Sequence, residues 1–388
     1  MLLVNANFTF MKGNEDYNWF KNKYTIGYGP DDIRELGDSK AYKSTTNDYY
    51  SVLELFATFN KAFGKHYVTG ILGFNQEYNR WNWYKAEREG IISSSLPSIG
   101  LSSGDQFVSE QYADWAIRGL FFRANYTYDN RYIFEVNGRY DGTSRFPKNS
   151  RFGFFPSFAV GWVVSNENFL KGNKVITNLK LRASYGKVGS DKIGNNRFLY
   201  LDNHTYSASG GVAVGGYGTI NENRPGNYNL QWEVSKKQNY GIDLQLWSDW
   251  SITFDYFIED RSDILIERNT VPAISGLTSS QLPRVNMGEI KNKGYEITLD
   301  YNTDITRDLN INFGGNFSYA RNKVISADEA VLSSDYAYRY RETGFSLGQN
   351  WGYIIDHTVD PEHGKDGSGF FNSKEDVINS GLTYETGG

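Results

Sequence analysis

The feature that most constrains this chain is a two-residue alternation of apolar and polar side chains, repeated in segment after segment. In Tyr132–Asp141, Tyr132, Phe134, Val136, Gly138 and Tyr140 interleave with Ile133, Glu135, Asn137, Arg139 and Asp141. Successive side chains of a strand project to opposite faces, so the pattern encodes one apolar and one polar face. Gly119–Tyr128, Asn239–Leu246, Ser251–Glu259 and Leu309–Tyr319 alternate in the same way. Their polar positions are short and hydrogen-bonding: Asn125, Thr127, Asn239, Asn310, Asn312, Asn316 and Ser318. A face of that kind suits water, and the opposite face suits hydrocarbon.

Counting alternation gives about 13 strands. The first lies in the opening LLVNANFTF, and a second is expected over Asn18–Tyr28. Then follow Asp48–Asn60, His66–Tyr78, Trp115–Tyr128, Tyr132–Asp141, Gly153–Ser165 and Leu179–Val188. Gln231–Trp247, Trp250–Asp260, Gly288–Asn302, Leu309–Arg321 and a segment starting near Leu347 complete the set. Only Ile33–Leu36, Asn166–Gly172 and Lys374–Asn379 lean towards helix. The 16% aromatic content, with 40 Gly and 8 Pro, fits strands and turns.

The connections alternate short and long. Turns are expected at Lys12–Tyr17, Lys61–Lys65, Asp129–Arg131, Asn166–Asn178, Ser248–Asp249 and Thr303–Asp308. Loops are expected at Gly29–Asn47, Asn79–Asp114, Gly142–Phe152, Gly189–Leu230, Arg261–Met287 and Asn322–Gly344. In an up-and-down meander every second connection lies at the same end. One end is therefore trimmed and the other elaborated, as in outer-membrane barrels. A soluble sandwich joins its strands by Greek keys and does not sort loop lengths this way. Rings near the short turns (Tyr126, Tyr128 and Tyr132; Trp247 and Trp250) fit an aromatic girdle, with Phe122, Phe134 and Phe313 facing lipid. The predicted class is all-β: an antiparallel up-and-down transmembrane β-barrel.

Composition removes other classes. A net charge of −5 recommends neither nucleic acid nor an anionic membrane surface. Absence of cysteine excludes disulfides and thiolate metal sites. No apolar run reaches the roughly 18 residues of a transmembrane helix.

Several blocks carry a family resemblance. RYDGTSRFPKNSRFGFFPSFAVGWVVSNENFL (Arg139–Leu170) and ITNLKLRASYGKVGSDKIGN (Ile176–Asn195) closely resemble the SusC/RagA family of TonB-dependent outer-membrane transporters. So do LQWEVSKKQNYGIDLQLW (Leu230–Trp247), ITFDYFIEDRSDILI (Ile252–Ile266), VNMGEIKNKGYEITLDYN (Val285–Asn302) and FGKHYVTGILGFNQEY (Phe63–Tyr78). The resemblance implies a wide plugged barrel importing oligosaccharides, glycans or peptides. It also implies a SusD-like surface lipoprotein as cap and the TonB–ExbB–ExbD complex as energy source, acting through the plug. Such barrels have about 22 strands. Residues 1–388 are thus expected to be the central part of a barrel, incomplete and inactive by itself, without signal peptide, plug or last strands. A non-transport outer-membrane protein such as an adhesin, and a soluble β-rich carbohydrate-binding protein, are the alternatives.

Side chains sort accordingly. Arg123, Glu135, Arg139, Arg182, Asp243, Asp255 and Glu296 are expected to face the lumen, lining water or seating the plug. Asp141, Arg145 and Arg151 are expected to pair with one another and order a loop at the rim. Trp81, Trp83 and Tyr84, in a predicted extracellular loop, are the substrate-binding candidates, because flat rings stack on sugar faces. The other reading places Trp81 and Trp83 in the girdle or against the lipoprotein. His66, His204, His357 and His363 are dispersed and expected to be solvated loop residues. DPEHGKDGSG (Asp360–Gly369) lacks the acid spacing of a calcium loop. GGVAVGGYG (Gly210–Gly218) lacks the Lys-Ser/Thr ending of a phosphate cradle. No catalytic residue, metal site or cofactor is expected.

Overall fold

The computed structural model describes residues 1–29, 32–194, 197–207, 219–270, 278, 281–329 and 341–351. The chain divides into two units, Met1–Val331 with Glu342–Leu347, and Leu332–Arg341 with Gly348–Gly388. The described residues of the second unit form no strand.

The named elements of the first unit are strands, apart from a 3-10 turn at Val164–Asn166, joined by turns and loops. Its strands are β1 (Leu2–Lys21), β2 (Tyr24–Gly29), β3 (Asp32–Leu36), β4 (Lys40–Phe63), β5 (His66–Glu89), β6 (Gln106–Tyr128), β7 (Tyr132–Thr143) and β8 (Phe152–Val163). There follow β9 (Ile176–Ser190), β10 (Asn203–Ser207), β11 (Thr219–Arg224), β12 (Glu233–Leu246), β13 (Trp250–Ile266), β14 (Val285–Thr306) and β15 (Leu309–Ser326). Eleven of them make one antiparallel sheet in the order β1-β4-β5-β6-β7-β8-β9-β12-β13-β14-β15. β2–β3 and β10–β11 are separate hairpins within the connections.

Register keeps the alternation in phase from strand to strand. Leu181, Ile242, Phe254, Ile297 and Phe317 form one row across five strands. The neighbouring row, on the other face, is Arg182, Gly241, Asp255, Glu296 and Ser318. A slip of one residue anywhere would exchange the faces, so eleven strands in phase amount to a strong register constraint. The apolar face is bare. Phe122, Phe134, Ile242 and Phe313 are 39%, 48%, 41% and 63% exposed, so no second layer of described residues covers them.

The tight turns are built for hairpins. Asp129 and Asn130 have φ of 51° and 52°, and the Arg131 amide donates to the Tyr128 carbonyl at 2.9 Å. Two successive left-handed residues form a type I′ turn, whose twist matches the flanking strands. Trp247 and Ser248 repeat the device, with φ of 52° and 67°.

The structure corrects several boundaries. Lys12–Tyr17 is no turn but the interior of β1, pairing with Tyr49 through Ser44 of β4, so Asn18–Lys21 ends β1 and only Tyr24–Tyr28 of the expected second strand is separate, as part of β2. Ile33–Leu36 belongs to a strand rather than a helix. The expected loop Asn79–Asp114 shrinks to residues 90–105, because β5 continues to Glu89 and β6 begins at Gln106. One cause explains the corrections at β1, β5 and β6. A strand crosses a bilayer in about 9–11 residues, whereas β4 and β5 have 24 each. Their outer halves meet water on both faces, lose the alternation and read as loop. Leu347–Trp351 is not strand, and the rest of that expected strand lies outside the described residues. Lys374–Asn379, Gly210–Gly218, Asp360–Gly369, His357 and His363 also lie outside them.

Candidate functional site

The polar face is an ionic wall. Arg182 on β9 donates Nη1 and Nη2 to both carboxylate oxygens of Asp255 at 2.7 Å each, and Nε to Asp243 at 3.1 Å. Forked donation to a planar carboxylate is the strong, orienting form of the ion pair. The arrangement needs Gly241 between them, since a Cβ there would stand 2.4 Å from the Arg182 Cζ. Arg139 makes a second fork onto Asp141 at 2.9 and 3.0 Å and reaches Asn75 at 3.1 Å. Arg123 donates to Asn137 at 2.7 Å and lies 3.9 Å from Glu135. Glu296 stands exposed beside Asp255 on the next strand.

Register places every predicted polar-face residue on this one face. Phe122, Tyr126, Tyr128, Tyr132, Phe134, Trp250 and Phe313 fall together on the opposite face. Trp247 sits in the β12–β13 turn instead of on a face.

The aromatic trio is not brought together, nor does it occupy a loop. Trp81, Trp83 and Tyr84 are in β5, where alternation sends the tryptophans to the polar face and Tyr84 to the apolar one. Register sets the tryptophans beside aromatic residues of two neighbouring strands. Asp48 pairs with Trp81 and Tyr50 with Asn79 across β4–β5, and Asn79 pairs with Trp115 across β5–β6. Tyr50 and Trp115 rings lie 6.4 Å apart on the same face as Trp81 and Trp83. Asn79 donates to Asp48 at 2.6 Å, and Tyr50 to Glu77 at 3.0 Å. The polar face towards the loops is thus an aromatic patch edged by carboxylates. Trp115 and Tyr50 share the parity of the predicted strands, a signal that could have found them.

Loops at this end close over a small core of Phe146, Ile193, Leu199, Leu230 and Trp232. Trp232 meets Phe146 and Phe155 edge-on at 5.4 and 5.2 Å. Asp191 accepts from Thr143 at 2.8 Å and Arg145 at 2.9 Å, and the Arg145 guanidinium lies 4.3 Å above the Trp115 ring. Asp141, Arg145 and Arg151 therefore do not pair with one another. Asp141 takes Arg139, Arg145 takes Asp191, and Arg151 Nε donates to the Phe146 carbonyl at 3.4 Å. The intervening turn sends them in different directions, yet Arg145 and Arg151 both tie down the loop.

At the opposite end Glu167 gathers three donors: Tyr132 at 2.6 Å, Trp162 at 3.1 Å and Arg131 at 2.8 Å. Those hydrogen bonds, Tyr132 first and Trp162 next, hold its carboxyl below the ordinary carboxylate range. Arg131 also pairs with Asp129, which Lys65 holds at 3.0 Å. His66 is not a solvated loop residue: it opens β5, stacks on Phe63 at 5.1 Å and contacts the Tyr126 hydroxyl at 2.7 Å. No cluster of metal-ligating side chains occurs among the described residues.

A sheet whose apolar face stands bare is stable where hydrocarbon covers it, and strands enter hydrocarbon only in closed walls. The class is that of the transmembrane β-barrel. More narrowly, the chain belongs to the TonB dependent receptor-like β-barrel family, whose profile matches residues 2–387. It is an outer-membrane protein. TonB-dependent receptor P3 of Formosa agariphila is 31% identical over 324 residues, covering 80% of this chain and 31% of the receptor. TonB-dependent receptor SusC of Bacteroides thetaiotaomicron is 33% identical over 236 residues, covering 59% and 23%. The RagAB peptide transporter structure superposes with a TM-score of 0.75 at 21% identity, over 89% of this chain and 37% of that one. The chain spans less than a third of the length of the curated relatives it matches.

Proposed function

We propose that the chain supplies wall and rim to an outer-membrane transporter that imports glycans or peptides, energised through TonB. The observation that carries this reading is the phased two-faced sheet with an ionic face. In this reading Phe122, Phe134, Trp250 and Phe313 face lipid, with Tyr126, Tyr128, Tyr132 and Trp247 in the girdle at the tight turns. Arg123, Glu135, Arg139, Arg182, Asp243, Asp255 and Glu296 face the lumen. There they present fixed dipoles and charges on which a plug can seat through hydrogen bonds that water can replace. A plug moved by TonB needs this kind of seat, since an apolar seat would hold it too firmly to release. The ordered rim gives a SusD-like lipoprotein a firm surface to close on.

Trp81 and Trp83 are the substrate contacts in this account, with Trp115 and Tyr50 beside them. Aromatic faces stack on sugar rings or peptide side chains, while Asp48 and Glu77 accept from hydroxyls or amides. In the full-length protein, Trp83→Ala should weaken ligand binding about tenfold, as expected for losing about 1.4 kcal/mol of stacking. Surface expression should stay normal. Isothermal titration with the cognate glycan or peptide reads this directly, and unchanged affinity at normal expression removes the assignment. Loss of TonB should abolish uptake while leaving binding intact.

A further inference from the structure

The apolar face ends towards the loops in a band rich in cations. Lys187, Lys236, Asp260, Lys291 and Lys323 form one row across β9, β12, β13, β14 and β15. Two residues nearer the tight turns, Lys293 and Arg321 face each other. Below them Tyr240, Tyr256, Tyr295 and Tyr319 form an unbroken tyrosine row. Lys236, Lys291, Lys293, Arg321 and Lys323 are exposed. Among the described residues Lys291 alone of the six cations has an ion-pair partner, Asp260 at 3.5 Å. Glu289, two residues further along β14, is the other carboxylate on this face of β9 and β12–β15 among the described residues, so six cations meet two carboxylates there.

Two features say what neutralises them. Lys187 opposite Lys236, Lys291 opposite Lys323, and Lys293 opposite Arg321 are like-charge cross-strand pairs, which oppose folding unless an anion bridges them. Their height is the second. Asp260 lies ten residues along β13 from Trp250, which heads the strand at its tight turn. At about 3.3 Å per residue and a tilt near 40°, the row stands roughly 25 Å above the turn-end aromatics. That is the height of the apolar band of such barrels, so the cations lie at the outer headgroup layer, just above a tyrosine belt. The long stems of lysine and arginine suit this depth, lying along apolar surface with the charge in the polar layer.

We propose that this row binds the phosphate groups of an anionic glycolipid of the outer leaflet, bridging cations of adjacent strands. The proposal rests on the outer-membrane placement of the sheet. The net charge of −5 gives no hint of it, because the acids lie elsewhere on the chain.

The test uses the full-length protein, extracted from outer membranes and examined by native mass spectrometry. Purified lipopolysaccharide, its dephosphorylated form and zwitterionic phosphatidylcholine serve as probes. Wild type should retain lipopolysaccharide at least tenfold better than the other two. The fivefold variant K236Q/K291Q/K293Q/R321Q/K323Q should lose that preference. K236R/K291R/K293R/K323R should keep it, as should K237Q, whose residue is on the polar face. Equal retention by wild type and the Gln variant, or indifference to dephosphorylation, would overturn the proposal. So would normal lipid retention with loss of a co-purifying lipoprotein, which would assign the row to that protein. Absence of wild type from the outer-membrane fraction would overturn the placement as well, and so separates the two failures.

Discussion

The wall and the rim are stabilised by different solvents. The wall has no interior: its apolar face is bare and its polar face is wet, so hydrocarbon outside takes the part that a core takes elsewhere. The rim, by contrast, is a globular core in miniature, with Phe146 1% and Leu230 0% exposed. It packs residues from two separate connections, β7–β8 and β9–β12, and roofs them with the Asp191 hydrogen bonds. Wall substitutions should therefore be read against the bilayer, and rim substitutions against protein packing. The difference also explains why the wall tolerates mixed aliphatic and aromatic rows, whereas the rim depends on particular shapes.

Substitutions can break that comparison. The largest effect should come from Trp232→Ala, which removes the ring shared by Phe146 and Phe155 and should cost about 3–5 kcal/mol of rim stability. Limited proteolysis of residues 190–232 reads it, and the strands should stay protected. Next, Ile242→Arg in mid-strand should destabilise the folded wall by about 2–4 kcal/mol in a bilayer. Thr253→Arg, one residue off in phase, should be nearly neutral in the same chemical denaturation. Equal costs for the two would erase the distinction between the faces.

Smaller effects sharpen it. Arg182→Gln leaves Asp243 and Asp255 without their cation, but the site is wet, so about 1 kcal/mol or less is expected. Its clearer readout is salt dependence, which should weaken. Finally, Glu167 has a folded-state pKa below its unfolded value. Its contribution is present above the unfolded pKa and disappears as pH falls through the folded one. Stability of wild type should therefore decline on acidification below the ordinary carboxylate range. Glu167→Gln should show a shallower decline over that window, while both stay flat near neutrality.

The sequence was most legible where a strand meets two different solvents. β7, β12 and β13 show alternation because lipid and water impose opposite demands on consecutive residues, and the polar-face set from Arg123 to Glu296 was readable for the same reason. Where water wets both faces the demand vanishes, so the outer halves of β1, β4 and β5 read as turn or loop. Trp81, Trp83 and Tyr84 were misplaced on that account, and the grouping of both tryptophans with Trp115 and Tyr50 stayed hidden. The partners of Arg145 were illegible for another reason. Asp191 is 46 residues away, and only tertiary closure of the rim brings the two together. The cation row depends on register across five strands, which no single segment encodes.

The central claim is that one face of this sheet touches bilayer and the other water. With no native cysteine in the chain, single nitroxide-labelled cysteines can be placed along β12 from Tyr240 to Leu246. In the full-length protein in bilayers, collisions with oxygen should peak at 240, 242, 244 and 246. Collisions with a water-soluble nickel chelate should peak at 241, 243 and 245. A period of two in opposite phase is the predicted result; the same accessibility at even and odd positions would contradict the account.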